Sequence, residues 1–238
     1  MDLSSATVSV RSPDGGLLTD QPWSTMPVLL LEEAVPWRSF RWYRGQKHYS
    51  GTYWSSTTRD HVIYESRLEL ARLLYADFDR LVRYIVAQPF LLKAVVDGEI
   101  RRHVPDFLLV TGRGLVIVDV KPRSRREVPA VVATSGWTRE LVEARGWRYE
   151  LWSEPPPGEL SNIRFLAGYR RTWLLDPDLI DALQGTDLEG MPLGQAVRLV
   201  PRPEPLVRAT IYHLLWTRQL DTDLTAPLGP SHRLRRPA

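Results

Sequence analysis

The chain has 238 residues, 43% of them hydrophobic, which suffices for one large domain or for a domain of about 150 residues with a small companion, and argues against global disorder. It contains no cysteine, which excludes disulfides and thiolate metal centres, and its formal net charge of +3 is by itself weak evidence for a nucleic-acid partner. The first residues lack the basic start and apolar run of a signal peptide, and no stretch approaches the ~20 apolar residues that cross a bilayer, so a soluble cytoplasmic protein is expected.

Residues 1–22 are rich in Ser, Thr, Asp and Gly and predict a loose N-terminal arm. From 35 to 58, aromatic and basic residues interleave (Trp37, Arg38, Phe40, Arg41, Trp42, Arg44), which predicts strand pairs turning near Gly45 or Gly51. A strand face packed on the core with arginines outward explains this pattern more simply than base stacking does. Residues 59–81 predict a helix. Ile63, Leu70, Leu74 and Leu81, with Leu73 and Phe78 beside them, form an apolar stripe, and Glu65, Glu69 and Arg72 lie on the opposite flank. Glu69 and Arg72, at i and i+3, also suit an ordinary surface pair. Residues 82–96 read as a helix end turning at Pro89 into a strand, with Asp97-Gly98 as a two-residue turn and a returning strand over 99–104.

The stretch 103–122 carries the chemistry. Two apolar runs, 107–110 and 115–118, flank Thr111-Gly112-Arg113-Gly114 and predict a β-hairpin. Asp106 opens the first strand just after Pro105, and Asp119 and Lys121 close the second, so all three charges gather at one end of the sheet. Asp119 and Lys121 share a face, while Val120 turns into the core. Pro122 ends the strand, and Arg123, Arg125 and Arg126 make a basic cluster suited to DNA phosphates. A helix over 131–145, with Gly146 as its C-cap, and a strand over 147–152 complete the expected α/β class: a mixed sheet flanked by helices.

Pro155-Pro156-Pro157-Gly158 reads as a loop inside this first domain, followed by a helix over 160–169. Helices are then expected from Asp176-Pro177-Asp178, over 192–199 and over 205–216, with a β-hairpin around 227–230. Three helices followed by a hairpin is the order of a winged-helix module. The expected division is an arm over 1–22, a catalytic domain over 23–172 and a winged-helix-like domain over 173–238.

Two carboxylates and a lysine on a sheet edge suit metal-assisted phosphodiester hydrolysis, which needs charge neutralisation at the phosphate and a positioned water. Asp106 and Asp119 would ligate Mg²⁺ together with the Val120 carbonyl, a helix glutamate would add a further ligand, and Lys121 would orient water or stabilise charge. The bland reading makes Asp106 a turn cap and Asp119–Lys121 a surface pair. His103, three residues before Asp106, could touch substrate but reads more simply as a turn histidine.

Pro105-Asp106 followed by Asp119-Val120-Lys121 resembles the PD-(D/E)xK nuclease superfamily. Within it, Ser66-Arg67-Leu68-Glu69-Leu70, Gln88-Pro89-Phe90, Pro105-Asp106-Phe107-Leu108 and Asp119-Val120-Lys121-Pro122 look like TnsA, the endonuclease subunit of heteromeric cut-and-paste transposases, over about residues 55–155. The resemblance implies a restriction-endonuclease-like fold and Mg²⁺-dependent cleavage, with Mn²⁺ able to substitute. The cut would fall on the 5′ side of each transposon end in double-stranded DNA. It also implies a DDE-type, TnsB-like transposase that cuts and joins the 3′ ends, and a TnsC-like AAA+ ATPase. It points to Glu69 rather than Glu65 as the helix acid and carries Asp106 and Lys121 over directly. Asp119 falls where the family varies between Glu, Asp and Gln, and Glu65 and Gln88 are auxiliary candidates. The alternatives are a repair or restriction nuclease of the same superfamily, or a non-catalytic protein whose nuclease fold only binds DNA or partners.

Overall fold

The computed structural model describes residues 5–38 and 49–237, so the expected turn at Gly45 lies outside the described residues. The chain forms two compact units, Met1–Ala76 with Leu81–Glu154, and Asp77–Arg80 with Pro155–Ala238. The mixed α/β class expected from the sequence is the class observed.

The hairpin at the centre of the first unit is built by β8 (Phe107–Thr111) and β9 (Gly114–Val120), antiparallel, with Phe107 opposite Val118 and Thr111 opposite Gly114. β5 (Val82–Ala87) pairs antiparallel with β8, and β10 (Arg148–Trp152) pairs parallel with β9, giving the order β10-β9-β8-β5. β9 is buried from Leu115 to Val120, on both of its faces. Its Leu115 and Ile117 join a core with Trp137, Leu141 and Val142 of the helix α3 (Pro129–Glu143). Each large side chain so buried contributes about 1.5–3 kcal/mol. Against the alternate residues of β10 lies α2 (Arg67–Phe78): Tyr75 packs on Trp152, and Arg72 donates to Glu150 at 2.8 Å. Helices therefore cover both faces of this sheet.

A second sheet, β2-β1-β6-β7, holds β1 (Thr7–Arg11), β2 (Leu17–Pro22), β6 (Leu91–Val96) and β7 (Glu99–His103), all antiparallel. The Asp97-Gly98 turn forms as expected, with φ of 52° and 79°, the left-handed pair that a two-residue hairpin needs. Within the loose arm expected over 1–22, Thr7–Arg11 and Leu17–Pro22 are instead strands, and the short helix α1 (Val28–Glu32) follows them. Val8 and Val10 alternate into the core, and Thr7 to Ser9 pair with Leu91 to Lys93 of β6.

Two other expectations change. Residues 60–64, assigned by sequence to a helix starting at 59, form β4 (Asp60–Tyr64), paired with β3 (Gly51–Ser55). The β-branched and aromatic residues His-Val-Ile-Tyr alternate there, and Ser66 starts the helix only afterwards. Residues 82–87 are likewise a strand rather than a helix end, because Val82, Ile85 and Val86 are buried in the sheet.

The second unit begins at Pro155, not at 173. α4 (Pro157–Leu166) belongs to it: the buried Asn162 donates to the carbonyls of Leu224 and Ala226, each at 2.7 Å, and accepts the Leu228 N–H at 3.1 Å. α5 (Pro177–Gln184), α6 (Leu193–Ala196) and α7 (Glu204–Trp216) follow. The hairpin expected around 227–230 is reduced to isolated antiparallel bridges, Asp221 with Arg235 and Pro192 with Arg233. Among the described residues, no helix is long and apolar enough to cross a membrane.

Candidate functional site

Helix α2 opens with a capping box. Ser66 Oγ accepts the Glu69 N–H at 3.1 Å, and the Glu69 carboxylate reaches back to accept the Ser66 hydroxyl at 2.9 Å and the Glu65 N–H at 2.7 Å. This fold of the chain tethers Glu69 at the first turn. Glu65 lies before the helix, and its carboxylate is 3.9 Å from Arg38. Arg72, which the sequence offered as Glu69's partner, pairs with Glu150 instead.

At the sheet end, Asp106 bridges the two strands of the hairpin. Its N–H donates to Val118 O at 3.1 Å, and its Oδ2 accepts the Val120 N–H at 2.6 Å and Lys121 Nζ at 3.3 Å. Lys121 Nζ also donates to the Val120 carbonyl at 3.0 Å. The expected gathering of Asp106 and Lys121 is thus present. Asp119 is 2% exposed and fully engaged: His103 Nε2 lies 2.8 Å from both of its oxygens, and Tyr149 O–H donates to Oδ2 at 2.5 Å.

A cleft of about 360 Å³ joins these groups: Glu65, Glu69, His103, Asp106, Asp119, Lys121 and Tyr149 line it, with Arg38 at its side. Burial, and then the charge of Asp106, push Glu69 up to about 7. Asp106 is also raised: its burial and the neighbouring Asp119 outweigh the pull of Lys121. Burial works on Asp119 in the same upward direction, but the hydrogen bonds and charge of His103, with the Tyr149 hydroxyl, leave it lowered. An ionised carboxylate only accepts, so His103 Nε2 carries the proton between them. Tyr149 is strongly raised by burial and the Asp119 charge, which fixes it as a donor.

The donor set answers differently for different residues when tested against a divalent cation. Glu69 and Asp106 are half-buried carboxylates whose like charges oppose each other, the condition a hard cation relieves. Asp119, already satisfied, does not fit as a ligand in this arrangement, and the Val120 carbonyl is occupied by Lys121. Among the described residues, no three His, Asp or Glu side chains are grouped as a metal cage. Mg²⁺, however, commonly uses one or two carboxylates with waters and substrate phosphates.

Of the basic cluster, Arg123 is tied down, its N–H donating to Glu154 Oε2 at 2.8 Å and its guanidinium to Glu154 O at 3.0 Å, while Arg125 and Arg126 are exposed on the turn. Gln88 lies beside the cleft and is buried; its N–H donates to Asp106 O at 2.9 Å. Sequence reading set His103 aside and missed Tyr149 and Arg38. Tyr149 could have been found by alternation: Leu151 is the register partner of Asp119, so Tyr149, two residues earlier, shares that face.

No protein-family model matches the chain, and no curated protein matches it.

Proposed function

We propose that this chain is a Mg²⁺-dependent DNA endonuclease of the PD-(D/E)xK type, a TnsA-like subunit that cuts the 5′ side of transposon ends together with a DDE-type transposase and an AAA+ ATPase. The observation that carries the reading is the convergence of Glu69, Asp106 and Lys121, from a helix start and two strand ends, on one cleft. The sheet β10-β9-β8-β5 with helices on both faces supports a restriction-endonuclease-like core. The helices α5, α6 and α7 followed by the Asp221–Arg235 bridge support a winged-helix-like second unit, one with no extended wing among the described residues.

Held by Glu69 and Asp106, Mg²⁺ would supply charge neutralisation at the phosphate and a more acidic water. Asp106 is kept in place for this by the Val120 N–H and Lys121. The Lys121 ammonium, partly exposed at the strand end, can orient an attacking water or offset charge on the phosphate oxygens. Asp119 serves from behind: it fixes His103 and Tyr149 along the cleft wall.

The test is nicking of double-stranded transposon-end DNA by the chain with Mg²⁺ and its partner transposase. Asp106→Ala and Lys121→Ala abolish the cut if the reading holds; variants that cut as well as wild type overturn it. A second reading, a non-catalytic DNA- or partner-binding protein, is favoured by the capping role of Glu69 and the internal satisfaction of Asp119. Calorimetric Mg²⁺ titration separates the two, since the binder shows no Asp106-dependent uptake.

A further inference from the structure

We propose that Arg38 is a DNA-phosphate clamp of this cleft and that Gln88 is the positioning residue that holds it there. The inference rests on the nuclease reading of the same site and adds a substrate-binding residue to it.

Gln88 adopts φ of 46°, in the left-handed region that residues with side chains rarely occupy. In that conformation one residue makes three directed contacts. Its N–H donates to Asp106 O at 2.9 Å, its carbonyl accepts the Trp37 N–H at 2.9 Å, and its Oε1 accepts the Arg38 N–H at 3.2 Å. The main chain of 37–38 is thereby tied, through a single buried residue, to the aspartate at the centre of the site. A second tether comes from β1: Arg11 donates from its guanidinium to Trp37 O at 3.3 Å, and Val35 N–H donates to Arg11 O at 3.0 Å. A solvated surface arginine has no need of such anchoring.

The side chain of Arg38 is differently placed from its backbone. It is 58% exposed and lines the cleft beside Glu65, with an ion pair of 3.9 Å, at the outer limit for such a contact. A long, exposed pair of this kind contributes little and is readily exchanged for a phosphate, which a guanidinium binds bidentately. Lys121, the other basic side chain on the cleft wall, is held at the reacting end by Asp106 and Val120 O, and His103 is bonded to Asp119, so neither reaches along the cleft as Arg38 does. A cleft lined by four carboxylates repels DNA unless cations offset them, and Arg38 is an exposed one placed at the cleft's side, away from the reacting phosphate.

The experiment measures binding of a short labelled DNA duplex by fluorescence anisotropy across a salt series, in the cleavage-dead Asp106→Ala background, with nicking by the otherwise wild-type chain assayed in parallel. Arg38→Ala is expected to weaken binding roughly tenfold near 0.1 M salt and to reduce the log–log salt slope by about 1, the signature of one lost phosphate contact. Arg38→Lys, which keeps the charge, retains most of the slope. Gln88→Gly keeps the left-handed backbone accessible and removes only the side-chain acceptor. It is expected to shift binding in the same direction but less, and to add nothing on top of Arg38→Ala. Unchanged affinity and slope in Arg38→Ala overturn the clamp. Additive losses in the Arg38→Ala, Gln88→Gly double variant overturn the positioning role of Gln88. If Asp106→Ala nicks as wild type does while the Arg38 slope change is present, the nuclease reading fails and the clamp stands. A chain that binds no duplex at all overturns the clamp, whatever the nicking result.

Discussion

The two units use the same kinds of polar residue in opposite ways. In the second, each is closed into a local structural task. Asp176 caps α5 by accepting the Asp178 N–H at 3.1 Å, and Asp221 pairs with Arg218 at 3.0 Å. The buried His213 donates from Nδ1 to Tyr169 O at 2.7 Å, and Asn162 satisfies three backbone groups of the tail. In the first unit, Glu69 and Asp106 are raised above the ordinary carboxylate range, by burial and by neighbouring negative charge. Acids whose desolvation is not fully offset by positive charge are unfavourable for folding alone, and such groups concentrate at functional sites. Asp119 shows the contrast within one unit: it is more deeply buried than either, but compensated by His103 and Tyr149.

This contrast can be broken at four points. The largest effect is expected for Lys121→Ala, which should lower nicking by about 100-fold or more while circular dichroism shows the fold retained. A variant as active as wild type would remove the functional half of the comparison. Next, Asp119→Ala should destabilise the first unit by about 2–4 kcal/mol in urea unfolding, since it strands a half-buried histidine and a buried hydroxyl. A loss under about 0.5 kcal/mol would mean that the His103–Asp119–Tyr149 network is not structural.

The third effect is a pH dependence. Glu69 lies at about 7 in the folded chain against an ordinary 4.5, so between those values the folded state holds a proton that the unfolded state has released. Stability from this group is therefore present at low pH and declines as pH rises from about 4.5 to 7. In the absence of divalent cations, the melting temperature of wild type should fall more steeply over that window than that of Glu69→Gln; parallel curves would show that Glu69 is not perturbed. The smallest effect belongs to the second unit: Asp176→Ala should cost about 1 kcal/mol through the lost helix cap and leave nicking unchanged. Loss of nicking in that variant would show that the second unit's acids are not merely structural.

What was legible in the sequence was short in range. The hairpin of β8 and β9, the Asp97-Gly98 turn and the meeting of Asp106 with Lys121 depend on residues close along the chain, where alternation and turn chemistry speak directly. Residues 60–64 were misassigned because Ile63 also falls on the helical stripe, and only pairing with Gly51 to Ser55 decides between the two periods. Residues 7–22 read as an arm because their polar composition hides the alternation of Val8 and Val10, and because the second neighbour of this strand, Leu91 to Lys93, lies some eighty residues on. The engagement of Asp119 was hidden for the same reason: His103 and Tyr149 are 16 and 30 residues away from it, on different strands. A motif names the acid, but not what the fold has already attached to it.

The placement of Trp23 has a consequence for how the protein is made. Its indole N–H donates to Leu141 O, 118 residues later, and Arg145 returns to Met26 O across 119 residues. In synthesis β1 can pair with β2 early, yet it finds its second neighbour only when Leu91 to Lys93 emerge, and Trp23 finds its acceptor only when α3 does. Throughout that interval Val8, Val10, Trp23, Met26 and Leu31, all buried in the finished core, lack their final cover and form an apolar nascent segment. The core of the first unit is therefore completed from its far end, once α3 supplies the partners of Trp23 and Met26.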